Sequence, residues 1–178
     1  MEVPMKSAFY CLALYVAIVA NVFGQNQASF KPPMSVYAEG IGIGGLYSVN
    51  CDYRVVNNIA LRAGFTAWNF DMGFANGSVA GFPFGINYII GQERGFEIGV
   101  CSIVGTTKGK MFFSETNDSQ EFAILAANLG YRFQSKDGGL IFRATVYPEM
   151  NLSGGNNNDK KFKITAGISI GFTQKATK

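Results

Sequence analysis

Nine charged residues fall on one side of an alternating pattern: Glu39, Asp52, Arg54, Arg62, Glu97, Arg132, Arg143, Glu149 and Lys163. Their carboxylates are the groups that could do chemistry, since a pair of them can act as general acid and base. The chain has no histidine, which excludes Ser-His-Asp and Cys-His catalysis and the His-containing zinc sites. Three cysteines are too few for a Cys-only zinc centre. Four acids face five bases, and a near-balance of signs is what a closed salt-bridge network needs, because a buried charge without a partner is very costly. The spacing favours such a network over catalysis, and no cofactor or metal is expected.

The elements that must position these residues read as strands. No segment beyond the N-terminal region has a helical period. Eight stretches alternate with period two, near residues 34–42, 45–56, 58–70, 79–90, 95–105, 121–133, 139–150 and 161–173. Most are long for soluble strands, which run about 5–6 residues, and match the roughly 9–11 that a tilted membrane strand needs. Their connections alternate in length. Asn57-Asn58, "GQER" from Gly91 and "QSKDG" from Gln134 are short. "DMGFANGS" from Asp71, "TTKGKMFFSETNDSQ" from Thr106 and "SGGNNND" from Ser153 are longer. In a meander the short turns share one end and the long loops the other, the arrangement of outer-membrane barrels. The connection near Ile43-Gly44 is the exception, expected to be a tight turn.

The side opposite the charges carries residues such as Tyr47, Val49, Phe82, Phe96, Leu129, Val146, Ile168 and Phe172, with Ser102 its clear polar member. The charged side also carries Gly64, Gly81, Gly85, Gly99, Gly105, Gly130, Gly167 and Gly171. Glycine on a solvated strand face weakens the sheet and packs nothing. Inside a closed eight-stranded barrel, where side chains just fit, it makes room for Arg and Glu. The apolar side is also too large for so narrow an interior. Tyrosines and phenylalanines gather toward both strand ends, like interfacial girdles. These features favour an apolar face toward lipid. The alternatives are a soluble exported β-barrel or sandwich binding an apolar ligand, and a lipid-modifying barrel enzyme. The same strand parity puts Cys51 and Cys101 on opposite faces, so no disulfide is expected.

Residues 1–24 read as a signal peptide. Lys6 supplies the positive start, Ala8 to Val19 an apolar run too short to span a bilayer, and Gly24-Gln25 the cleavage point. A periplasmic linker (25–33), the barrel (34–173) and a short tail (174–178) follow. "GIGIGG" from Gly40 matches a dinucleotide fingerprint literally, but that motif requires a helix to follow, and here a strand does. It reads instead as a turn in which Gly takes positive φ. The small net charge of +3 forms no basic stripe, so nucleic acid is not expected. Asn76, Asn117 and Asn151 begin Asn-x-Ser triplets near long loops and suggest exposure only. Met72, Phe74, Met111 and Phe112, with Lys108 and Lys110, could form a loop surface for an unidentified partner.

The last strand, "TAGISIGF" from Thr165 to Phe172, resembles the C-terminal β-signal of outer-membrane proteins. Thr165, Gly167, Ile170 and Phe172 occupy its positions, although a tail follows where the signal usually ends the chain. "SVYAEGIGIGGLYSVNCDYRV" from Ser35 resembles the first hairpin of small outer-membrane β-barrel proteins common in Bacteroidota, with the architecture of OmpA/OmpX-type barrels. The resemblance implies recognition by the barrel assembly machinery through those four residues, contact with outer-membrane lipid, and placement in the outer membrane of a Gram-negative bacterium. The expected fold is thus all-β: an eight-stranded antiparallel up-and-down transmembrane β-barrel behind a signal peptide. The expected role is non-enzymatic, structural or surface-interacting, with a plugged polar lumen.

Overall fold

The computed structural model describes residues 34–56, 58–71, 75–91, 93–111, 119–135, 138–153 and 162–175. The expected signal peptide, its Gly24-Gln25 cleavage point and the linker lie outside them, as do the last three residues of the tail and much of the long loops. Eight strands follow in chain order: β1 (Met34–Gly40), β2 (Tyr47–Val56), β3 (Ile59–Asp71), β4 (Ala75–Gly91), β5 (Arg94–Met111), β6 (Ser119–Gln134), β7 (Gly139–Asn151) and β8 (Phe162–Thr173). Each pairs antiparallel with the next, and β8 returns to pair with β1, closing the barrel. Closure removes every long free edge. That is the condition for a sheet to cross a bilayer, where no water can satisfy a backbone amide.

Alternation decides which face is inside. Along β7 the burial switches residue by residue, with Ile141, Arg143, Thr145, Tyr147 and Glu149 buried and the residues between them exposed or half-buried. The apolar side faces out: Phe172 is 71% exposed, Phe162 69% and Phe96 67%. The charged side faces in: Arg62 is 1% exposed and Arg143 0%. A soluble barrel or sandwich needs the reverse, so that reading fails on burial. Paired aromatics lie on the outer face. Phe65 and Phe82 lie 5.3 Å apart near the middle of β3 and β4, Phe96 and Tyr131 5.9 Å apart toward the short turns. The outward Ser102 is satisfied by donating to the Ile124 carbonyl at 2.8 Å.

Two expectations about boundaries change. β4, β5 and β6 run on through residues read as loop, with Asn76 opposite Lys110 and Lys108 opposite Ser119. Polar and glycine-rich sequence hides a strand there because, above a membrane, both faces can be wet. In contrast β1 and β2 are shorter than expected. Gly40 pairs with Tyr47, leaving residues 41–46 as a six-residue connection in place of a tight turn.

The inward glycines sit where a neighbouring side chain needs their space. A Cβ on Gly64 would strike the Asn50 side chain, one on Gly85 would lie 2.8 Å from Cys101 Cβ, and one on Gly130 2.9 Å from Thr145 Oγ1. Cys51 lies on the outer face and Cys101 is buried inside, both as free thiols.

Candidate functional site

The site is the lumen. Register alone brings some of its charges together: Asp52 lies opposite Arg62, Arg132 opposite Arg143, and Glu149 opposite Lys163. The ion pairs mostly ignore this neighbour order and run across the barrel. Arg62 Nη2 reaches Glu39 Oε2 at 2.5 Å, while Asp52 pairs with Arg132. Two arginines directly opposite on one face would repel. Glu97 resolves this by taking Arg132 on Oε1 and Arg143 on Oε2, the latter through Nη2 at 2.7 Å and Nε at 3.1 Å. Among the described residues the buried charged side chains are Glu39, Asp52, Glu97 and Glu149 against Arg54, Arg62, Arg132 and Arg143. Four minus four leaves no net charge.

Neutral groups complete the network, and the search for charges had passed over them. Tyr37 donates to Asp52 Oδ1 at 2.7 Å. Tyr147 donates to Glu39 Oε1 at 2.5 Å and accepts from Arg62 Nη1 at 2.7 Å. Asn50 Oδ1 accepts from Arg62 Nε at 3.0 Å. Among the described residues Arg143 Nη1 has no hydrogen-bond partner, but the Arg143 guanidinium lies 4.7 Å from the Tyr37 ring centre, a cation–π contact that partly replaces lost hydration. Both tyrosines obey the same alternation as the charges. Parity would have found them had polar-tipped aromatics been gathered with the acids and bases.

The remaining expected residues are peripheral. Arg54 lies near the short-turn end and donates to Gln134 Oε1 at 2.9 Å. Gln134 also accepts from Arg132 Nη1, so it links the central cluster to Ser35 and Thr173. Glu149 accepts from Thr165 at 3.2 Å. Lys163 is misplaced as a lumen charge: its side chain is 72% exposed and only 3.9 Å from Glu149. It is the second residue of β8, at the rim, where a long aliphatic stem reaches water easily. Of the β-signal positions, Thr165 and Gly167 point inward, Gly167 leaving 3.2 Å from its missing Cβ to Glu39 Oε1. Ile170 and Phe172 point outward.

Chemically, every central carboxylate is occupied by an arginine. Among the described residues no group of three His, Cys, Asp or Glu side chains could hold a metal ion.

A closed eight-stranded wall is shared with known structures. The N-terminal β-barrel domain of Pseudomonas aeruginosa OprF superposes with a TM-score of 0.52 at 13% identity, covering 83% of this chain and 100% of that one. Neisserial surface protein A gives 0.52 at 11% identity, covering 81% and 94%. The fold is that of the small eight-stranded outer-membrane β-barrels. No protein-family model matches the chain, and no curated protein matches it. At these identities the likeness of this barrel to its neighbours is one of fold.

Proposed function

We propose that the chain is exported to the outer membrane of a Gram-negative bacterium and serves there as a non-enzymatic barrel with a plugged lumen. Its role is structural or surface-interacting, carried by the external loops toward a partner of unidentified chemistry. One observation supports the reading above the others: an apolar outer wall encloses a neutral, cross-linked network of charges. Lipid is the environment in which that inversion is favourable, since every apolar residue outside would cost in water and every charge inside finds a partner. The plugged lumen is supported by side chains that meet across the barrel, with Glu39, Asp52 and Glu97 each paired to an arginine. The non-enzymatic reading is supported by carboxylates that are buried and paired, out of reach of a lipid substrate. Thr165, Gly167, Ile170 and Phe172 at the closing strand fit recognition by the barrel assembly machinery.

The test is fractionation. The protein is expected to require detergent for extraction from the outer-membrane fraction, and to migrate faster on a gel unheated than boiled. Release by salt or alkali without detergent would overturn the membrane placement.

A further inference from the structure

We infer that the connection between β1 and β2 is an inturned stopper that seals the barrel wall and its external mouth. β1 has seven residues; at about 3.3 Å each and a tilt of about 40°, it rises only about 18 Å, short of the roughly 25 Å apolar band of such barrels. On one side β8 continues from Ile168 up to Phe162 beyond the last pair with β1. On the other, β3 continues past Phe65, whose partner on β2 is Val49. The wall therefore has a notch at membrane depth, and residues 41–46 are placed in it.

Irregular backbone is tolerated at that depth only when buried in protein, and this connection obeys the rule. Gly42, Ile43 and Gly44 are buried, while Ile41 and Leu46 turn apolar side chains outward. The Gly44 carbonyl accepts from Thr66 Oγ1 at 2.8 Å and from Trp68 Nε1 at 3.4 Å. A Cβ on Gly42 would strike the Glu39 carboxyl group, and one on Gly45 would lie 2.9 Å from the Trp68 indole. Ile43 packs in one buried cluster with Cys101, Ile103, Ala126 and Tyr147. The stopper thus covers the Glu39–Arg62–Tyr147 cluster with an apolar cap. Its conformation is held against strain, since Ile41 has φ 60°, a region β-branched residues rarely enter.

This seal deepens the plugged-barrel reading and presupposes a closed barrel, though its test does not depend on where the barrel resides. Cys101 shares that buried cluster with Ile43 and is the natural reporter. In the folded protein in detergent, a small charged methanethiosulfonate reagent is expected to modify Cys101 about tenfold or more slowly than in the Ile43→Glu variant, whose carboxylate cannot stay in the cluster. Peptide mass assigns the modified cysteine, and heat-shifted gel migration confirms that the barrel is closed. Ile43→Gly, which removes the cap without adding charge, serves if Ile43→Glu does not fold, and is expected to speed the reaction to a smaller extent. Trp68, the single tryptophan, should shift its emission with both variants. Wild-type labelling as fast as in the unfolded chain would overturn the seal. So would continued protection of Cys101 in a closed Ile43→Glu or Ile43→Gly barrel, because the charge network alone would then be the barrier. Loss of the heat shift in the wild type would instead sink the closed barrel itself.

Discussion

Among the described residues, Arg132 forms ion pairs with two buried carboxylates. It holds Asp52 and Glu97 together, and Glu97 in turn separates it from Arg143. Arg132→Ala leaves two carboxylates buried without their common partner and is expected to cost about 3–5 kcal/mol, the usual penalty for breaking a buried ion pair from one side. Urea unfolding in lipid vesicles, followed by Trp68 emission, measures it. Combining Arg132→Met with Asp52→Asn should recover much of that loss, because Glu97 keeps Arg143 as its partner and the penalty comes from unpaired charge more than from absent attraction. The comparison also addresses a lipid-modifying enzyme: alanine at Glu39, Asp52 or Glu97 should lower stability, whereas an activity lost in still-folded variants would contradict the structural reading. Among the glycines, Gly85→Val is expected to destabilise by about 1–3 kcal/mol through overpacking, since its branched side chain would press on Val100 and Cys101 of the neighbouring strand. Ile41→Gly should act the other way, by about 1 kcal/mol, by relieving the strained φ.

The strands differ in how plainly their sequence declared them. β7 and β8 alternate without interruption, and their register carries Arg143, Tyr147 and Glu149 inward together. Here sequence and structure agree because one face meets lipid and the other a packed interior, so a slip of one residue would invert both. The upper parts of β4 and β5 lack that contrast. β5 spans 18 residues, about 60 Å along the strand at 3.3 Å per residue, and its last residues rise above the apolar band. Lipid exposure along an element can be tested by depth. Leu129 lies mid-strand on β6, outward, between Ile98 and Val146. Leu129→Arg is expected to weaken folding into vesicles by about 2–4 kcal/mol, and Phe162→Arg at the rim by about 0–1 kcal/mol. Equal penalties at both positions would mean that the outer face does not meet a bilayer.

For the whole molecule, the balance of signs and the closure of the sheet are one solution to one problem. A narrow eight-stranded interior must be filled. Filling it with paired polar groups leaves the apolar residues for the outside, and glycines opposite the largest side chains let them cross. The barrel is therefore expected to show no stable conductance in a planar bilayer, either as wild type or as Ile43→Glu, because the stopper and the ion pairs lie in series. A persistent channel in the wild type would contradict the plugged lumen.

The amino-acid sequence by itself determined the strand number, the two faces and the inward set of charges, because period-two alternation is a local property that survives in any closed meander. It also told which face was lipid-like, through the glycines among the charges. What it could not determine was who pairs with whom. Asp52 and Arg62 are neighbours in register yet bond to Arg132 and Glu39, since the curvature of the closed wall brings distant strands within reach of long side chains. Lys163 keeps the parity of a lumen residue but lies at the rim, a matter of height that alternation does not encode. The stopper is the clearest case. "GIGIGG" is locally compatible with a tight turn, and only the shortness of β1 against the height of β3 and β8 turns it inward, where Thr66 and Trp68 can satisfy its backbone and Ile43 can be buried.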